Sequence, residues 1–171
     1  MSASIATRRM KRVMHELKLL TTDPTPGIAV YPLEEGDLSS LRAVIRGPDG
    51  SPYEGGDFEL SVDIPDMYPN EPPKMRFLTP IHHPNIDSGG RICLDVLKPL
   101  PKGAWKPSMN ISTTLLSIKI LMDKPNGDDG LDVEVTAEYR QNRHLFLSNA
   151  RAMTRKHAIS SSNARPSPLN G

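Results

Sequence analysis

The chain has 171 residues but a single cysteine, Cys93, and only three Phe, four Tyr and one Trp. One cysteine excludes an intramolecular disulfide and fits a reducing compartment. Long apolar runs are also missing. No stretch holds the roughly 20 apolar residues that cross a bilayer, and the first residues show no secretory pattern. The expectation is a protein of nucleus and cytoplasm without a membrane partner. A charge surplus is missing too, since the formal net charge is +1. The molecule as a whole is therefore not a polyanion binder. Its basic segment lacks the interleaved aromatics of a nucleic-acid surface, so no direct nucleic-acid binding is expected. Cysteine and histidine show no CxxC or HxxxH spacing, so no metal site is expected.

Locally, charge is uneven. Residues 1–20 set Arg8, Arg9, Lys11, Arg12 and Lys18 against Glu16, a surplus of four positive charges. Residues 123–138 set Asp123, Asp128, Asp129, Asp132, Glu134 and Glu138 against Lys124, a surplus of five negative charges. Solvated faces explain such runs most simply. Docking surfaces for oppositely charged partners are the functional alternative.

Residues 4–20 read as a helix capped by Ser4, with Met10, Val13, Met14, Leu17 and Leu20 on its buried face. The prolines and glycine of Thr22–Gly27 stop it. Four strand-like runs follow: Ile28–Leu33, Ser40–Arg46, Phe58–Ile64 and Lys74–Leu78. Their short connections predict an antiparallel meander. Pro65–Pro73 carries four prolines and reads as irregular. Beyond residue 95 the pattern is helical. Ile111, Leu115, Ile118 and Met122 share a face, with Ser108 or Asn110 as cap. A last helix from about Asn142 turns Phe146, Ala150, Met153 and His157 inward. Strands followed by helices define an α+β domain over residues 1–158. Residues 159–171, rich in Ser, Asn and Pro, read as a mobile tail.

The stretch Ile81–Leu94 reads IHHPNIDSGGRICL. A lone cysteine is commonly a small buried hydrophobe, but this one follows an exposed turn, Asp87–Gly90, eight residues after Asn85. Thioester chemistry needs a thiol that can attack and leave, and a donor aimed at the developing oxyanion. The Asn85 amide can be that donor, can hold the loop that positions it, or can be a turn residue. His82 and His83 raise a metal site, which the absent spacing makes weak, and a Cys–His dyad, which needs an imidazole beside the sulfur. For His83, directly before Pro84, a structural role is favoured.

His83-Pro84-Asn85, seven residues and then Cys93 resembles the core signature of the ubiquitin-conjugating enzymes. Tyr53-Glu-Gly-Gly56, Tyr68-Pro69 with Pro72-Pro73, Trp105-Lys-Pro-Ser108 and Asp128-Asp129 follow in the family's order, over roughly residues 5–157. The stretch RICLDVLKPLPKGAWKPSMNIST is most like the T-type branch, which works with a RING ligase in DNA-crosslink repair, the Fanconi anaemia pathway.

The resemblance implies one α+β domain with an N-terminal helix, a four-stranded sheet, an active-site loop and C-terminal helices. It implies that Cys93 takes ubiquitin as a thioester from an activating enzyme and passes it to a substrate lysine, usually with a RING ligase. No cofactor is bound, and ATP is consumed only by the upstream enzyme. Asn85 would support the oxyanion or the loop, Asp129 would position the lysine, and His83 and Pro84 would be structural. The partner surface would comprise Arg8, Arg9, Arg12, Met67, Asn70, Trp105, Lys106 and Pro107. Lys98, five residues beyond Cys93, is a candidate for self-modification.

The chain departs from the family in three places. Asn70 replaces a frequent aromatic, which puts a HECT-type ligase in doubt. Met67 and Lys106 replace arginines of the T-type branch. Asn126-Gly-Asp-Asp-Gly130 replaces Asn-Pro-Asp-Asp-Pro, from which a more flexible gate is expected. Alternatives are an inactive ubiquitin-binding variant, a conjugating enzyme for another modifier, and a cysteine hydrolase.

Overall fold

A computed structural model describes residues 2–159. Except for Ile159, the expected tail lies outside these residues. Helix α1 (Ser2–Thr22) precedes strands β1 (Ile28–Glu34), β2 (Asp37–Arg46), β3 (Asp57–Asp63) and β4 (Lys74–Phe77). Helices α2 (Ile111–Asp123), α3 (Val133–Gln141) and α4 (Arg143–His157) follow. The strands form one antiparallel meander in the order β1-β2-β3-β4, as short connections require. Among the described residues no helix is long and apolar enough to cross a membrane.

One sheet face is apolar because alternate residues point to it. Leu41, Ala43 and Ile45 of β2, Phe58, Leu60 and Val62 of β3, and Met75 and Phe77 of β4 are buried. Helix α2 adds Ile111, Leu115, Ile118 and Met122 to the same core. Asn110 caps it in a capping box with Thr113, choosing between the two expected caps.

Three helical expectations are corrected. Helix α1 starts at Ser2, so Ser4 lies inside its first turn and is not the cap. Its buried face is shifted from the apolar stripe towards Val13 and Glu16, with Leu17 and Leu20 half-buried. Met10 and Met14 are 41% and 58% exposed, whereas Val13 and Glu16 are buried. The reason is polar. The Glu16 carboxylate accepts hydrogen bonds from Arg12 Nε (3.1 Å), the Tyr68 hydroxyl (2.6 Å) and the Ile111 N–H (2.7 Å). Arg12 Nη2 also donates to Met109 O at 2.7 Å. A buried carboxylate with three donors is satisfied, and it ties α1 to the proline-rich turns and to the N-terminus of α2. Burial and the Glu16 carboxylate keep the Tyr68 hydroxyl protonated far above the usual tyrosine range.

In α4 the inward stripe is Phe146, Ala150, Thr154 and then Ala158. Met153 is half-buried and His157 exposed, because the contact runs at four-residue spacing without the three-residue steps expected. Helix α3 lies within the acidic stretch that gave no periodic signal. None of its residues is buried, so there was no apolar stripe to read.

Candidate active site

From the end of β4 the chain runs irregularly to Cys93, and backbone pairing shapes this segment. Gly90 O accepts from Phe77 N at 2.9 Å. Gly90 has φ +82°, and a Cβ there would stand 2.0 Å from Phe77 O, so only glycine lets the loop lie on β4. Asp87 Oδ1 accepts the N–H groups of Gly89 and Arg91. The Cys93 N–H donates to Asn85 O at 2.9 Å, which fixes the thiol against the bend.

His83 is fully buried. Its Nε2 is 2.8 Å from Leu121 O, and its Nδ1 accepts the Asn85 N–H at 3.0 Å. Both ring nitrogens are therefore engaged within the fold. Burial pushes the His83 pKa down to about 4. The unfolded chain takes up this proton near 6.5, so stability should be fully present above that pH and fall as pH drops towards 4. At 1.36 kcal/mol per unit the loss is on the order of 3 kcal/mol. Urea unfolding at stepped pH should show this slope, and it should be absent in His83→Gln; an equal slope in both would assign the effect elsewhere. His82 is occupied as well. Its Nε2 is 2.5 Å from Glu138 Oε2, its ring stacks on Phe146, and its carbonyl accepts the Tyr53 hydroxyl.

Asn85 is 1% exposed. Its Nδ2 donates to Asn126 O (2.9 Å) and Asp129 O (2.8 Å), and its Oδ1 accepts the Asn126 N–H (2.9 Å). Both amide hydrogens are thus engaged, and the side chain holds residues 126–129 in place. Next to it, Pro84 O accepts the Leu131 and Asp132 N–H groups. The bend at Pro84 and Asn85 therefore carries both ends of the acidic gate.

That gate brings Asp129 to the sulfur, with Cys93 Sγ 3.4 Å from Asp129 Oδ2. Burial first, then the Asp129 carboxylate, pushes the thiol pKa up, and Lys98 opposes this. The resting sulfur is a protonated thiol hydrogen-bonded to a carboxylate, unlike the imidazole-activated sulfur of a cysteine hydrolase. Replacing Asp129 with Asn should move the pH midpoint of Cys93 alkylation by iodoacetamide downward and speed alkylation at pH 7. An unchanged or higher midpoint would contradict the assigned cause.

The expected partner-surface residues divide. Arg8, Met67, Asn70, Lys106 and Pro107 are exposed, as is Lys98. Arg9 Nη1 pairs with Asp66 at 2.6 Å and Arg12 with Glu16, so part of the basic surplus is neutralised within the fold. Trp105 is corrected. It is 2% exposed, donates Nε1–H to Pro69 O at 2.9 Å and lies against Tyr68. It braces the exposed loops and presents no surface of its own. Glu16 was not singled out in the sequence; its i,i+4 spacing to Arg12 is the one signal that could have found it.

The braced thiol beside a carboxylate sits on a meander sheet between an N-terminal helix and C-terminal helices, the α+β architecture expected of the family. Residues 12–154 match the family described as ubiquitin-conjugating enzyme, and the chain belongs to that family. Such enzymes take ubiquitin from an activating enzyme, work with ligases and need no cofactor. The chain is 54% identical to the ubiquitin-conjugating enzyme E2 T of Xenopus laevis over 152 residues, 89% of this chain and 79% of that protein. It is 53% identical to the Danio rerio E2 T over 152 residues, 89% and 78% of the two chains. It is 54% identical to the Homo sapiens E2 T over 151 residues, 88% and 76% of the two chains.

Proposed function

We propose that Cys93 is the residue that carries ubiquitin. Its sulfur attacks the carbonyl of the ubiquitin–activating-enzyme thioester, the activating enzyme's sulfur departs, and the Cys93 proton leaves with it. The amine of a substrate lysine then attacks the new thioester, and the Cys93 sulfur leaves as the isopeptide bond forms. The observation that carries this reading is the Asp129 carboxylate hydrogen-bonded to Cys93 Sγ in a loop held by Asn85. Once the thioester forms, the thiol proton is gone, and Asp129 is free to accept a hydrogen bond from the incoming amine. A free lysine has a pKa of about 10.4 and must lose a proton to attack, so a carboxylate at the sulfur can orient it and receive that proton. Asn85 serves in this reading as the brace of the gate.

Mixing the chain with ubiquitin, activating enzyme and ATP should give a reductant-sensitive adduct, absent in Cys93→Ala. An adduct only with another modifier would overturn the choice of ubiquitin. Hydrolysis of a thioester without an activating enzyme would favour the hydrolase. A RING ligase would dock on the exposed Met67, Lys106, Pro107 and Arg8. Lys98, exposed and close enough for its charge to act on Cys93, is proposed as the self-modified lysine. The resemblance of the RICLDVLKPLPKGAWKPS stretch to the T-type branch supports a role in monoubiquitinating a DNA-repair substrate, and the single cysteine fits the reducing nucleus and cytoplasm. Cells lacking the chain would then be hypersensitive to DNA-crosslinking agents, and a Cys93→Ala copy would not rescue them.

A further inference from the structure

The glycines at both ends of the Gly127–Gly130 gate were expected to loosen it. The structure gives each a neighbour on α3. A Cβ on Gly130 would stand 2.0 Å from Thr136 Oγ1 and 2.6 Å from its Cγ2. Gly130 does not have positive φ, so space, and not backbone conformation, demands glycine there. A Cβ on Gly127 would meet the Tyr139 ring at 3.3 Å. Thr136 and Tyr139 are three residues apart and share one face of α3. Thus α3 fills the room that the two glycines leave.

Both residues are anchored. The Thr136 hydroxyl donates to Asp132 O and lies 3.5 Å from Pro84 O, the carbonyl that also accepts the Leu131 and Asp132 N–H groups. The bond to the Asp132 carbonyl selects one of the two χ1 rotamers open to a helical threonine, so rotation away would break it. The Tyr139 hydroxyl is 3.4 Å from Pro125 O, at the start of the gate. Its ring meets the buried Phe146 edge-on at 5.0 Å, and the Arg143 guanidinium lies 3.7 Å above it. Tyr139 therefore connects the gate to the core. Asn85 holds the gate from the thiol side, and these two residues hold it from behind.

We propose that Thr136 and Tyr139 are positioning residues that interlock with Gly130 and Gly127 and thereby fix Asp129 beside Cys93. The inference rests on the role proposed above for Asp129. Neither residue touches the reacting atoms, and each acts through the loop.

The test compares full-length Thr136→Val, Thr136→Ser, Tyr139→Leu, Tyr139→Phe and Gly130→Ala with the parent and with Asp129→Asn. Two readouts are taken: discharge of the Cys93 thioester to free lysine, and the pH midpoint of Cys93 alkylation by iodoacetamide. Thr136→Val, Tyr139→Leu and Gly130→Ala should slow discharge roughly tenfold, within the range that misplacing a reacting group produces. They should also lower the alkylation midpoint, as Asp129→Asn does, because the carboxylate has left the sulfur. Loading by the activating enzyme should stay near the parent rate. Thr136→Ser and Tyr139→Phe, which keep the hydroxyl or the ring, should behave like the parent.

General loosening of the fold would slow discharge without moving the thiol midpoint, and that outcome overturns the proposal. Parent-like discharge and midpoint in Thr136→Val, Tyr139→Leu and Gly130→Ala, while Asp129→Asn alters both, also overturn it and leave the role of Asp129 standing. No effect of Asp129→Asn on discharge would remove that role and the interlock together.

Discussion

Asn85→Ala is expected to slow transfer from the Cys93 thioester to lysine about a hundredfold, the cost of misplacing a reacting group by roughly 1 Å. Loading from the activating enzyme should be less affected. The reason lies in the hydrogen bonds. The amide spans Asn126 and Asp129 with three contacts of 2.8–2.9 Å, and alanine makes none of them. The gate should then drift from the thiol and take the Asp129 carboxylate with it. A brace and an oxyanion donor predict different chemistry at the resting sulfur. Loss of the brace removes the Asp129 carboxylate, so the Cys93 alkylation midpoint should fall. Loss of a donor that acts only on the tetrahedral intermediate leaves that midpoint in place. Slow discharge with an unmoved midpoint would return Asn85 to the oxyanion role. Single-turnover lysine chase and alkylation against pH, measured on the same preparation, separate the two.

Glu16→Ala is expected to destabilise the fold by about 3–5 kcal/mol, because a buried ionic cluster is broken by removing its central partner. The change leaves the Tyr68 hydroxyl and the Ile111 N–H without their acceptor and Arg12 without its carboxylate. For a domain of this size the unfolding midpoint should drop by about 10 °C. Tyr68→Phe removes one of the three donors and should cost less, about 1.5–3 kcal/mol, the worth of a hydrogen bond to a charged group. Thermal and urea unfolding of both variants measure the difference. A loss below about 1 kcal/mol for Glu16→Ala would show that water or a neighbouring side chain replaces the carboxylate. The strut matters for function because it holds together three segments: α1, the turns around Met67 and Asn70, and the loop of Lys106 and Pro107 leading into α2. The exposed residues proposed to meet a ligase hang from those segments.

Much of the architecture is legible in the sequence. The strands alternate apolar and polar residues because one sheet face is dry, and a two-residue period survives in the sequence whatever the strands pair with. Short connections left the meander as the economical order. Asn110 and Asn142 marked helix starts, since capping is local chemistry. Cys93 stood out as the only cysteine, and Asn85 was picked out by the resemblance of His83-Pro84-Asn85 and Cys93 to the family signature.

Other features had no local trace. Helix α3 buries no residue, so its sequence has no stripe, and its cap, Asp132, was lost among other acids. The orientation of α1 was misread because Met10, Met14 and Leu17 make the better apolar face. The tertiary structure turns Glu16 inward to meet Tyr68, 52 residues away, and Ile111, 95 residues away. Periodicity weighs side chains one helix at a time and cannot see a donor supplied by another segment. Trp105 was read as a surface residue for the same reason: its acceptor, Pro69 O, is 36 residues away.

The sequence by itself therefore determined the α+β class, because it depends on residue type, period and short-range spacing, and its resemblance to a known signature pointed to the family and to Cys93. Only the tertiary structure decided which groups the Asn85 amide bonds, what the two histidine rings touch, and that Asp129, 36 residues from Cys93, reaches the sulfur. It also decided that the gate glycines are filled by Thr136 and Tyr139. Each of these depends on where two distant backbone segments come to rest, and that is set by burial of the common core and by satisfaction of its polar groups, not by the residues on either side.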